Sequence, residues 1–276
     1  MKIFGWGGRR GVGRTEERVA RAAELYRSGS YVEAEREARA VAASGSRRNA
    51  GDPHAALALG IAALAAGAQG RHAEAVSTYD TALPVFGETF GTAHPQTLKL
   101  RSDRAQALAS LDRHAEAEAE CAAVARTAAD GTDPDLPLVA TAARSGRIYA
   151  LCALGRHPEA EAVAREALAA HPGPDRFTLV LRLGLARALR GQDRHEEALA
   201  EAEYAERLYR LLPPEQRRPE TGAPELARAA ALLGLGRAAE ARPLAAAAHD
   251  SCLSAFGPSH RRTTEARTLL ASLDAA

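Results

Sequence analysis

The sequence predicts an all-α fold, a right-handed solenoid of six helix-turn-helix repeats closed by a capping helix. Three observations predict it. A short phrase recurs six times, and its glutamates, Glu33, Glu74, Glu116, Glu159, Glu197 and Glu240, stand 41, 42, 43, 38 and 43 residues apart. Each phrase follows a Gly or Asp, at Gly29, Gly70, Asp112, Gly155, Asp193 and Gly236, and lies between two stretches of helical periodicity. The composition suits helices and little else, being rich in Ala with 4% aromatic residues, one Met and one Trp in 276 residues.

The elements follow in chain order. Residues 1–14, with five glycines and three arginines, are expected to be a flexible tail, and Thr15 is expected to cap the first helix. The solenoid then occupies 15–276, with repeats at about 15–50, 51–92, 93–132, 133–172, 173–215 and 216–257 and a capping helix at 259–273. In the first helices a 3, 4, 3 spacing repeats as Thr15/Arg18/Ala22/Leu25, Leu98/Arg101/Ala105/Leu108, Thr141/Arg144/Ile148/Leu151 and Leu179/Arg182/Ala186/Leu189, which puts each set on one helix face. The second helices carry small residues, among them Ala38, Ala82, Ala167 and Ala205, that allow close packing. Pro213 and Pro214 stop one long second helix, and Pro224 opens the next hairpin. Pro243 falls inside the expected second helix of repeat six, where it should kink that helix or delay its start. In the last helix Arg261, Arg262, Glu265 and Arg267 supply the polar outer face a terminal cap requires.

The turn phrase Gly-Arg-x-x-Glu-Ala, followed by small residues, resembles the tetratricopeptide repeat. The segment Phe90-Gly-Thr-Ala-His-Pro-Gln-Thr-Leu98 is similar to the opening of repeats of the kinesin-light-chain type, with a period near 42 residues, and a second copy runs from Phe256 to Thr263. The resemblance implies a protein-interaction module without catalytic activity or cofactor, whose first helices line a concave groove. The family's clamp for acidic chaperone tails uses paired Lys and Asn. The corresponding positions here hold Ala23, Ser102, Asp103 and Gln106, so no such clamp is expected.

Other chemistries are excluded one by one. Lys+Arg 36 against Asp+Glu 35 leaves a net charge of +1, so no global field attracts nucleic acid or a membrane. The longest uncharged apolar run, Ala55 to Ala68, is too short to span a bilayer, and no secretion signal is legible, so a cytoplasmic protein is expected. The loop Gly8 to Thr15 has the spacing of a phosphate loop with Arg for its Lys, but it follows no credible strand; nucleotide binding there is the weakest reading. Repetition explains the histidines, since His72, His114, His157 and His195 share one turn position and His94 and His260 share a helix start. At a helix-packing spacing of about 10 Å the turn histidines stand too far apart to hold one metal ion. Arg18, Arg101, Arg144 and Arg182 lie on the apolar seam, where an arginine packs its stem and reaches a carboxylate of the next helix. Cys121, Cys152 and Cys252 form no paired motif; Cys121 and Cys152 read as core fillers.

The remaining reading is a scaffold or adaptor that takes a peptide or protein segment in its groove. The alternatives are a peptide-sensing regulator and self-association through an Ala-rich surface. Counting from the seam, the groove face carries Ala23, Gln106, Tyr149, Arg187 and Ala230, and one turn on Tyr26, Cys152, Arg190 and Leu233. Gln106, Tyr149, Arg187, Arg190, Tyr26, Ser102 and Asp103 are therefore the candidate partner contacts. Arg187 and Arg190, three apart on one helix, beside Tyr149 would suit an acidic segment with an apolar side chain.

Overall fold

The computed structural model of the chain describes residues 13–46, 52–171, 173–258 and 260–274. Of the sequence-level features, most of the tail and of the Gly8–Thr15 loop lies outside these residues, as does the expected start of the capping helix at Ser259. The fold is all-α, with fourteen α-helices and no strand among the described residues. It divides into two compact units, 1–97 and 98–276.

The first unit holds two helical hairpins, α1 (Arg14–Ser28) with α2 (Tyr31–Ser46) and α3 (Pro53–Ala68) with α4 (His72–Phe90). Helix α1 packs on α2 and α3, and α3 on α2 and α4. Val19, Ala22, Ala38, Val41, Ala58 and Ile61 form the shared core. Thr15 does not cap α1: the N-cap is Gly13, without a side-chain hydrogen bond, because the helix starts one residue before the threonine. Asp52 caps α3 through its side chain, which accepts from the His54 N–H.

The second unit contains α5 (Pro95–Ala109), with its first residues at the boundary, then α6 (His114–Ala129), α7 (Leu136–Ala153), α8 (His157–Ala170), α9 (Arg176–Arg190), α10 (His195–Leu211), the short α11 (Pro214–Arg217), α12 (Ala223–Gly234), α13 (Ala238–Phe256) and α14 (Arg261–Asp274). Its first helices lie side by side, α7 on α9, α9 on α12 and α12 on α14, while the second helices fill the angles between them. The core is continuous in kind: Leu98, Val124, Leu136 and Ala143 in one cluster, Ile148, Leu151, Leu181, Leu185 and Leu189 in the next. Pro243 neither delays nor interrupts α13, which begins at Ala238 and runs through it to Phe256; the proline removes one intrahelical bond near the N-terminal end.

The recurring phrase has a local physical cause. All six expected turn residues adopt positive φ, and Asp112 and Asp193, at 58° each, are the non-glycine ones. In every turn the following N–H closes a 6→1 bond onto the preceding helix, as in Arg113 to the Leu108 carbonyl at 3.1 Å and Arg156 to Leu151 at 2.9 Å. The Arg and Glu of the phrase then form a fork across the first turn of the second helix. Arg113 reaches Glu116 through two bonds of 2.6 and 2.7 Å, and Arg156/Glu159, Arg194/Glu197 and Arg237/Glu240 repeat it. These exposed pairs orient the helix start more than they stabilise it. The aromatic phrase is equally regular. Phe90 stacks on His94 and Phe256 on His260, and Thr97 and Thr263 donate to the Gly91 and Gly257 carbonyls at 2.8 and 2.9 Å. Each histidine Nδ1 accepts an N–H two residues on, at 3.2 Å, and so caps its helix.

Candidate partner-binding site

The seam arginines do what their position implied. Arg18 donates to Glu37, Arg101 to Glu120 and Arg182 to Glu201, at 2.6, 2.6 and 2.7 Å, each across 19 residues from the first helix to the second helix of its hairpin. Arg144 reaches Glu166 at 3.8 Å. Each of the four thus reaches a carboxylate of its own hairpin. A second ionic device joins successive hairpins. Glu35 accepts from Arg39, Gln69 and Arg71, Glu118 from Arg147, and Glu161 from Arg165, Gln192 and Arg194. Burial raises the Glu161 carboxyl, but these donors outweigh it and hold the group at about 2.

The turn histidines are packing residues. A β-carbon at Gly191 would overlap the His157 ring, and one at Gly234 the His195 ring, so each imidazole lies across the glycine ending the next first helix. Burial lowers the His72 pKa. Among the described residues no group of three or more His, Cys, Asp or Glu side chains could hold a metal ion. All three thiols are free and buried, and desolvation pushes Cys121 up to about 12 and Cys152 to about 11, so neither is a ready nucleophile.

The groove residues separate into three groups. Tyr26 lies in the first unit, its ring 5.5 Å from that of Tyr31. On α5, Ser102 is buried, Asp103 is engaged by Lys99 at 2.5 Å, and only Gln106 is exposed. On α7 and α9, Tyr149 and Arg187 do come together, the guanidinium carbon standing 5.4 Å from the ring centroid, and the His114 ring meets Tyr149 edge to face with centroids 6.1 Å apart. Arg190 follows one turn on, exposed and with no carboxylate at ion-pair distance among the described residues. Burial among neighbouring groups, then the charge of Arg187, lowers its pKa.

Two further members come from α14 and were not legible in the sequence, where both were assigned to an outward-facing cap. Glu265 accepts from Arg187 at 3.0 Å across 78 residues, and the Arg261 guanidinium carbon stands 3.9 Å above the Tyr149 ring, within 3.7 Å of Glu265 by ion-pair distance. The carboxylate on Arg187 thus comes from two first helices further along the chain. Ala227 and Ala230 stand on α12 between α9 and α14, and alanines place little side chain in the way. Arg267 is exposed, as the expected polar outer face requires, whereas Arg262 turns inward to Glu220 at 3.1 Å and the Pro219 and Thr221 carbonyls at 3.0 Å. The Arg187 and Glu265 side chains retain 35% and 27% of their surface. Desolvation opposes the charge on Glu265, yet Arg187 and Arg261 hold its pKa below the ordinary carboxylate value. The site therefore sets two guanidinium groups, Arg187 and Arg261, against the Tyr149 ring and the Glu265 carboxylate, with Arg190 one turn further along α9.

Residues 54–120 match the sequence model of the tetratricopeptide repeat, and the stacked hairpins have the fold of a tetratricopeptide-repeat solenoid. Folds of this class commonly serve as protein–protein interaction scaffolds. The kinesin-light-chain-like repeats of Podosopora anserina superpose with a TM-score of 0.60 at 20% identity, over 71% of this chain and 94% of that one. PilW, a type IV pilus biogenesis factor, gives 0.61 at 18% identity over 91% and 96%, and BtubC from P. vanneervenii gives 0.57 at 15% over 96% and 94%. No curated protein matches the sequence. Among the described residues no helix is long and apolar enough to cross a membrane.

Proposed function

We propose that the chain is a non-catalytic scaffold that binds an acidic segment of a partner protein on the first-helix face of the second unit, with Arg187 and Arg190 as charge anchors and Tyr149 as the apolar contact. One observation carries the reading: two positions expected from the repeat period to face a groove meet there, and two guanidinium groups share one carboxylate with a third, Arg190, a turn further along α9. A guanidinium matches a carboxylate in forked geometry, and a neighbouring ring adds buried area, which is the make-up of an interface anchor. No nucleic acid, membrane or cofactor enters this reading, and the three free thiols fit a cytoplasmic setting. The test is the double variant Arg187→Glu/Arg190→Glu, compared with wild type in pull-downs from the native cell extract at matched helicity. The reading expects specific partners to disappear. An unchanged set of partners would refute it and direct attention to the second-helix face.

A further inference from the structure

We propose that α14 is an internal occupant of this site: Glu265 stands where a partner's carboxylate binds, and an acidic segment enters by taking its place on Arg187. The proposal rests on the groove reading above and adds what regulates it. Arg261 and Glu265 are four residues apart and so share one face of α14. From that face the carboxylate reaches the guanidinium on α9, and the arginine covers the ring on α7. Two features of a bound acidic partner, a negative charge on Arg187 and a group against Tyr149, are thus supplied by the chain itself.

The occupancy is incomplete and replaceable. Arg187 meets Glu265 through one bond of 3.0 Å from one terminal nitrogen, whereas the turn arginines make two-bond forks. Both side chains keep contact with water, which weakens the pair. Arg190, four-fifths of a turn along the same helix from Arg187, has no carboxylate at ion-pair distance among the described residues, so an incoming acidic residue meets that cation first. A segment with two carboxylates then satisfies Arg190 and replaces Glu265, and the released Glu265 stays beside Arg261. Rotation of one side chain suffices; α14 keeps its packing on α12 and α13.

The experiment uses the full chain and the probe Gly-Glu-Leu-Glu-Asp-Leu-Glu-Gly labelled with fluorescein, read by anisotropy at low salt, with a Lys-for-Glu/Asp peptide as control. Glu265→Gln keeps the shape and removes the charge, and it should bind the acidic probe about tenfold more tightly than wild type, while Arg187→Glu/Arg190→Glu binds neither. Glu265→Asp, which withdraws the carboxylate by one methylene, should tighten binding by a smaller factor and serves if the Gln variant loses helicity. Equal affinities for wild type and both Glu265 variants, with binding still abolished by Arg187→Glu/Arg190→Glu, would overturn the internal occupant and leave the groove reading standing. Absence of binding in every variant, or an equal gain for the basic peptide, would overturn both.

Discussion

Removing the charge of Glu161 should cost the second unit stability in a pH-dependent way. The carboxylate accepts from Arg165 at 2.8 Å, Gln192 at 2.8 Å and Arg194 at 2.6 Å, so it links α8 to the turn that begins α10. Its pKa falls from the ordinary 4.5 to about 2. A shift of that size corresponds to about 3 kcal/mol at most. Arg165 and Arg194 keep 51% and 37% of their side chains in water, which lowers the realistic figure to about 1–2 kcal/mol. A depressed carboxyl stabilises the fold above its unfolded pKa, and that contribution is lost as pH falls from about 4.5 toward 2. Glu161→Gln should therefore be about 1–2 kcal/mol less stable than wild type at pH 7 in urea unfolding followed by circular dichroism, and more than half of the difference should be gone by about pH 3. A difference below about 0.3 kcal/mol at pH 7, or one that persists unchanged to pH 3, would refute the reasoning.

Gly191→Ala and Gly234→Ala should each destabilise by about 1–3 kcal/mol, because the added carbon displaces the His157 or His195 ring, and thermal unfolding checks this. Asp112→Gly and Asp193→Gly should be neutral or stabilising by up to about 1 kcal/mol, since both aspartates hold φ of 58°; Gly155→Val, at φ 73°, should lose about 1–2 kcal/mol in the same assay. Cys121 and Cys152 should stay unmodified by a thiol reagent at pH 8 in the native chain and react fully in denaturant, because burial holds both thiols protonated.

What the sequence made legible is what repeats. The 38- to 43-residue spacing exposes the six turns because each needs a residue that tolerates positive φ and a Leu or Ala whose carbonyl closes it. The pairing of Arg18, Arg101 and Arg182 followed from their place on an apolar seam beside a polar second helix. The same counting placed Tyr149 and Arg187 on one face, and their side chains do lie together, 5.4 Å from guanidinium carbon to ring centroid. Glu265 and Arg261 were not, because their contacts span 78 and 112 residues and depend on how tightly successive first helices are rotated about one another. That rotation is set by many small packing choices, such as the alanines of α12, and no periodicity reports it. The clasp glutamates Glu35, Glu118 and Glu161 were missed for a different reason: Val76 and Leu199 occupy the same place in other repeats, so the pattern is broken.

The central claim is that partners meet the first-helix face of the second unit. Site-specific photo-cross-linking measures it most directly, with benzoylphenylalanine placed at Ala230, 43 residues beyond Arg187 and at its equivalent position, or at Tyr204, an exposed residue of the second helix α10. The account predicts a discrete cross-linked partner from position 230, lost on adding Arg187→Glu/Arg190→Glu, and none from position 204. Cross-linking confined to position 204 would contradict it.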